Sequence, residues 1–138
     1  MFIDLDGTLA GESVWKSISW NYWRLFRTGL KFQIPEDLNW IMLTARPRID
    51  LPVIKMVCRY YNLNPEGIIT FPTLFYDRFF DETIMLAGWK RSTMLKFYEE
   101  DTTLIYVDND PNVLFHIEPH PSLILCNTED FKRLQEEQ

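Results

Sequence analysis

Cysteine is scarce. The 138 residues hold two, Cys58 and Cys126, far apart and outside any C-x-x-C pattern. That excludes a disulfide-built scaffold and a thiolate metal site. Both lie in apolar stretches, IKMVCRYY and LILCN, and read as buried, reduced thiols. Histidine is equally sparse. His116 and His120 stand in HIEPHP, where Pro119 and Pro121 break helical spacing and no third ligand is in view. They read as polar loop residues, not a metal pair. No run approaches the roughly 20 apolar residues of a membrane span. Asp4 and Asp6 interrupt the start of the chain, where a secretory signal needs an apolar core. The expectation is a soluble, cytoplasmic protein with no membrane partner. Positive charge is not in excess either. A formal net charge of −6 argues against a general polyanion binder. The charge is uneven, however. Residues 11–34 carry Lys16, Arg24, Arg27 and Lys31 against Glu12 alone, which leaves room for a local basic surface.

What the chain does have is apolar material. It is 46% hydrophobic and 15% aromatic, enough for one domain, residues 1–138, with a real core. Five short aliphatic runs read as strands: FIDLD, WIMLT ending at Thr44, GIITF ending at Phe71, LIYVD ending at Asp108, and SLILC ending at Cys126. They lack strict alternation, as strands buried on both faces do. Between them, LPVIKMVCRYYN from Leu51 and IMLAGWKRSTMLKFYEE from Ile84 carry apolar residues at helical spacing. TEDFKRLQEEQ begins on Thr128 as a helix cap with an acidic first turn. Strands alternating with helices of this size predict right-handed crossovers and a five-stranded parallel sheet. The segment from about 9 to 38 is too long for a bare strand-to-helix turn and too short for a second domain. It predicts a small flap, one helix, and a turn at PED leading into the second strand.

In an open parallel sheet, ligands bind beyond the carboxyl ends of the strands, near the point where strand order reverses. Asp4 and Asp6 stand at the end of the first run, Thr44, Ala45 and Arg46 at the second, and Asp108, Asn109 and Asp110 at the fourth. Carboxylates brought that close repel one another and need a counter-charge. A hard divalent cation with oxygen ligands answers the need, and Mg²⁺ suits a site that also takes phosphate oxygens. Strand alternation places Asp4 and Asp6 on one side until the chain bends at Gly7.

These residues resemble the haloacid dehalogenase superfamily, most of whose members are phosphatases. D-L-D-G-T at the first strand end looks like its signature. Thr44 after IML, Lys90 in AGWKRSTML and the acidic cluster YVDNDP are similar to its second, third and fourth motifs, in that order and over nearly the whole chain. The resemblance implies a Rossmann-like three-layer sandwich with a minimal cap. It implies Asp4 as nucleophile through an aspartyl-phosphate and Asp6 as general acid and base. Thr44 and Lys90 then contact the transferring phosphoryl group, and Thr8, Ala45 and Arg46 lie on the substrate side. Mg²⁺ is held by the Asp4 carboxylate, the Asp6 backbone carbonyl and Asp108. Asn109 departs from the paired aspartates of many relatives, so Asn109 and Asp110 both stand as outer-shell candidates. From the residues alone, Asp110 before Pro111 also reads as a helix cap. Arg46 reads equally as a phosphate clamp and as a structural ion pair.

The short inserts predict an open site. The T-x-R turn is similar to that of 3′-phosphatase domains of polynucleotide kinase-phosphatases and of RNA-repair members of the superfamily. Trp15, Trp20, Tyr22 and Trp23, with Lys16, Arg24 and Arg27 among them, are able to stack bases and track a phosphate backbone. Trp20, Trp23 and Phe26 equally suit a core-facing helix. The leading expectation is a Mg²⁺-dependent phosphatase of a nucleotide or nucleic-acid phosphate end. A small-metabolite phosphatase with a lid from an oligomer partner, and an inactive binding module of the same fold, are the alternatives.

Overall fold

The computed structural model describes residues 1–11, 25–26, 29–73 and 83–137. Of the expected helix between the first two strands only Leu25 and Phe26 are described, both helical and packed on the core; Trp15, Trp20 and Trp23 lie outside the described residues. Five strands form one all-parallel sheet: β1 (Phe2–Ile3), β2 (Ile41–Pro47), β3 (Gly67–Phe71), β4 (Leu104–Val107) and β5 (Leu123–Cys126), in the order β3-β2-β1-β4-β5. Among the described residues it is accompanied by the helices α1 (Leu51–Tyr61), α2 (Thr83–Leu95), α3 (Pro111–His116) and α4 (Thr128–Glu136).

Alternation along each strand sorts the core into two layers. Ile3, Met42, Val107 and Cys126 pack with Ile54, Val57 and Cys58 of α1 and Phe131 of α4. Their strand neighbours Phe2, Leu43 and Tyr106 turn the other way, onto Ala87 and Met94 of α2 and Val113 of α3. Helices therefore cover both faces, and the α/β three-layer expectation holds. The chain runs outward from central β1 through β2 to β3, then returns to place β4 on the other side of β1. Strand order thus reverses at β1, and the crevice beyond its carboxyl end is where such sheets take ligands.

Local differences from the expected elements have plain causes. α2 stops at Leu95, where Lys96, Phe97 and Tyr98 close tighter bonds to the carbonyls three residues back. The cap of α4 is Asn127, not Thr128. Asn127 is extended (φ −84°, ψ 175°), its side chain accepts from the Asp130 amide, and Asp130 reciprocates in a capping box. The turn at Glu36 and Asp37 is present, with the Leu38 amide donating to the Pro35 carbonyl at 3.1 Å. Cys58 and Cys126 are free and buried, as expected.

Candidate active site

β1 is only two residues long, and its extension builds the site. The Asp4 amide still donates to the Val107 carbonyl of β4 at 3.0 Å. Then the chain leaves the sheet. The Leu5 carbonyl accepts from the amides of Thr8, Leu9 and Ala10, at 3.2, 3.0 and 3.2 Å. Gly7 makes this turn at φ 75°, a left-handed conformation that strains a residue bearing a Cβ. Fully buried Leu9 and Ala10 anchor the returning chain in the core.

Four side chains close a ring at this point. Lys90 Nζ donates to Asp4 Oδ1 at 3.3 Å and to Asp108 Oδ2 at 3.1 Å. On the opposite edge, Thr8 Oγ1 donates to Asp4 Oδ2 at 3.0 Å and lies 3.5 Å from Asp108 Oδ1. The strand register brings these groups together. Phe2 pairs with Tyr106 and Ile3 with Val107, so Asp4 and Asp108 follow their strands side by side. Phe2 and Tyr106 face α2, and the residues two further on, Asp4 and Asp108, meet Lys90 of that helix. Thr8 also accepts from the Asn109 amide at 2.9 Å, tying the loop after β1 to the loop after β4.

The ring carries two carboxylates and one ammonium, all buried. Burial first, and then repulsion from Asp108, push the Asp4 carboxyl up to about 8, against the pull of Lys90. Burial opposes charge on Lys90, but Asp108 and Asp4 overcome it and push the ammonium up to about 12. The Tyr106 phenol is held well above its ordinary range by burial and by the same two carboxylates. All three shifts favour the protonated form, through burial first for Asp4 and Tyr106 and through the two carboxylates for Lys90; two carboxylates against one ammonium leave an excess of negative charge. Hard oxygen donors with uncompensated negative charge fit a small hard cation. Among the described residues, no group of three or more His, Cys, Asp or Glu side chains gathers into a metal cluster. The available side-chain donors are those of Asp4 and Asp108.

Asp6 goes elsewhere. The alternation expected to keep it beside Asp4 ends with β1, and the turn hands its carboxylate to Arg46. Arg46 Nε and Nη2 donate to Asp6 Oδ2 and Oδ1 at 2.8 and 2.6 Å. Nη1 of the same guanidinium donates to fully buried Asp50 at 3.2 Å. The buried guanidinium is pushed above its ordinary value, burial being outweighed by Asp6 and Asp50. Thr44, also fully buried, accepts the Arg46 amide on its Oγ1 at 3.1 Å. A hydroxyl that accepts still has its proton to donate.

The sequence-predicted residues therefore fall into separate groups. Asp4, Thr8, Lys90 and Asp108 form one ring, hydrogen-bonded except where Thr8, its one proton given to Asp4, faces Asp108 at 3.5 Å. Asp6, Arg46 and Thr44 form a second set on the loop after β1 and the end of β2. The ion-pair reading of Arg46 is the one the geometry displays. Ala45 packs with Phe71 and Leu86. Asp110 caps α3, its Oδ1 accepting from the Asn112 amide at 2.9 Å, while its own amide donates to Asp108 Oδ1 at 2.9 Å. Asn109 contributes its amide to Thr8. Lys96, one residue beyond the end of α2, is exposed. His116, expected in a loop, is instead the last residue of α3, its Nδ1 2.7 Å from the Asn112 carbonyl one turn back, whereas His120 does lie in a loop and accepts from the Ser122 amide at 3.1 Å.

Two residues escaped sequence reasoning. Tyr106 shares the face of Asp108 two positions earlier, so strand periodicity carried the signal. Asp50 lies four residues after Arg46, across the end of β2 and the short 3-10 turn Arg48–Asp50, so no strand or helix period marked the pair. Comparison of the chain with family models, with curated proteins and with solved structures gives no match in any of the three.

Proposed function

We propose that this chain is a Mg²⁺-dependent phosphomonoester hydrolase of the haloacid dehalogenase type, acting on a nucleotide or a nucleic-acid phosphate end. The observation that carries the reading is Lys90. Its buried ammonium bridges Asp4 and Asp108 at the adjoining ends of β1 and β4. A buried cation between two carboxylates at the strand-order reversal suits a site that handles a dianionic group.

In this reading an Asp4 carboxylate oxygen attacks phosphorus, and the bond from phosphorus to the ester oxygen breaks. Asp6 gives the leaving oxygen a proton. Water then attacks the aspartyl-phosphate, Asp6 takes a proton from it, and inorganic phosphate leaves with Asp4 restored. Both Asp6 oxygens accept from Arg46, so one of those bonds opens when Asp6 carries a proton. Lys90 balances the charge of Asp4 and of the phosphoryl oxygens, and the Thr44 hydroxyl donates to that group. Asp4, Asp108 and the Asp6 backbone carbonyl would hold Mg²⁺, which supplies charge neutralisation of the phosphoryl oxygens. The expected T-x-R turn is instead the extended end of β2; the narrower substrate class is supported by the Thr44-Ala45-Arg46 sequence there, which resembles that of 3′-phosphatase domains.

The test is release of phosphate with Mg²⁺ present, across 3′- and 5′-phosphorylated oligonucleotides, nucleotides, sugar phosphates and phosphopeptides. Turnover of a 3′-phosphorylated oligonucleotide, lost in Asp4→Asn, is the expected result. Turnover of sugar phosphates alone would remove the nucleic-acid part. Inertness on every phosphomonoester would remove the whole reading.

A further inference from the structure

We propose that Tyr106 is a positioning residue of this site: its hydroxyl fixes the Lys90 ammonium and turns Asp108 so that Oδ1 is the oxygen presented beside Thr8 and Asp4. Its kinetic consequence rests on the phosphatase reading. Its structural consequence does not.

The phenol is fully buried on the face of β4 that meets α2. It belongs to an apolar core cluster with Phe2, Leu43, Met94 and Val113. A phenylalanine ring would serve that packing equally well. The oxygen is what needs a reason, because a buried hydroxyl is costly without partners. Here it has two charged ones, Lys90 Nζ at 2.6 Å and Asp108 Oδ2 at 2.5 Å.

The directions of these bonds are forced. An ammonium has donors and no acceptor, so Tyr106 accepts from Lys90. Its single proton then goes to Asp108 Oδ2. Lys90 has three N–H groups and three oxygens to meet: Asp4 Oδ1, Asp108 Oδ2 and Tyr106 Oη, at 3.3, 3.1 and 2.6 Å. Donors and acceptors match one for one, which orients the ammonium as a tripod.

Asp108 is fixed from both ends in the same way. Tyr106 and Lys90 hold Oδ2, while the Asp110 amide holds Oδ1 at 2.9 Å. The carboxylate plane is set, and Oδ1 stands 3.5 Å from Thr8 Oγ1, which donates to Asp4. Removing the phenol oxygen leaves one Lys90 N–H without its partner in a side chain only 1% exposed. The ammonium must then re-aim, and Asp108 loses one of the bonds that set its plane. Tyr106 acts through these two groups, which makes its role positional.

Tyr106→Phe, which keeps the ring, is the test. The first readout needs neither metal nor substrate. In wild-type protein the Lys90 ammonium should give a solvent-protected ¹⁵N–¹H signal with a nuclear Overhauser contact to the Tyr106 ring. In Tyr106→Phe that signal should be lost to exchange. Absence of protection in the wild type overturns the proposal whether or not the variant folds. The second readout is Mg²⁺ affinity by calorimetry, expected to weaken about tenfold on loss of a charge-assisted bond. The third is hydrolysis of a 3′-phosphorylated oligonucleotide, with kcat down about tenfold and KM within about twofold. A folded Tyr106→Phe protein with Lys90 protection, Mg²⁺ affinity and kcat all unchanged overturns the proposal and leaves the phosphatase reading standing. A wild type that hydrolyses no phosphomonoester, yet loses Lys90 protection in Tyr106→Phe, overturns the phosphatase reading and supports the positioning role.

Discussion

Arg46 grips Asp6 through both carboxylate oxygens, at 2.8 and 2.6 Å, and braces its third edge on buried Asp50. A planar guanidinium matches a carboxylate in this two-pronged way, and an ammonium does not. Arg46→Lys should therefore keep the charge and lose the geometry. Steady-state kinetics should show kcat reduced about tenfold or more, with the protein folded. Arg46→Met deprives fully buried Asp50 of its guanidinium. Urea denaturation should report a loss of about 3–5 kcal/mol. A stable Arg46→Met protein would show that Asp50 draws its support elsewhere.

Asp4→Asn separates function from stability. Burial and Asp108 both oppose charge on Asp4. A neutral amide of the same shape relieves that opposition, so metal-free Asp4→Asn should be more stable than wild type by about 0.5–2 kcal/mol. Phosphate release should vanish, and the rise in Tm that Mg²⁺ gives the wild type should shrink. A destabilised Asp4→Asn protein would contradict the excess of negative charge.

Lys90→Met removes the ammonium that stands between Asp4 and Asp108. Two buried carboxylates then face each other, at a cost of about 3–5 kcal/mol without metal. Hydrolysis should fall by about a hundredfold or more. A divalent cation should raise the Tm of Lys90→Met by more than it raises that of wild type. Differential scanning fluorimetry against Mg²⁺ concentration measures the comparison.

Burial pushes the Cys58 thiol up to about 11, and the sulfur sits under α1 in the core. The reactive species is the thiolate. Because the shift is upward, that species is scarce in the folded protein at pH 8 and grows only as pH approaches 11. Alkylation by iodoacetamide at pH 8 should be slow until urea unfolds the chain. Rapid labelling of native protein, located at Cys58 by mass spectrometry, would place the thiol at the surface.

The fold was legible because parallel strands leave continuous aliphatic runs, and the periodic apolar residues of α1 and α2 and the acidic first turn of α4 leave distinct marks; six-residue α3 is too short to show a period. The Asp4, Lys90 and Asp108 constellation was legible for a related reason: each residue follows or faces the end of a strand. Asp6 was harder. Period-two reasoning needs a strand, and β1 stops at Ile3, before either aspartate. Its partner therefore depends on a turn whose path only the packed Leu9 and Ala10 determine. For Tyr106, strand periodicity gives the face it shares with Asp108, but nothing in LIYVD distinguishes a phenol that packs from one that also bonds. Asn127 was hidden behind Thr128, an equally good capping residue one position on.

Central β1 has a kinetic consequence. Asp4 meets Lys90 and Asp108 only when segments 86 and 104 residues further along the chain have docked. Long-range pairings of this kind close late, after the entropy of large loops has been overcome. The charged ring is thus a signature of the finished sheet. A chain in which β4 has not yet inserted beside β1 carries all of these residues and none of their proximity. Protection of the Lys90 ammonium, followed during refolding, would time that final closure.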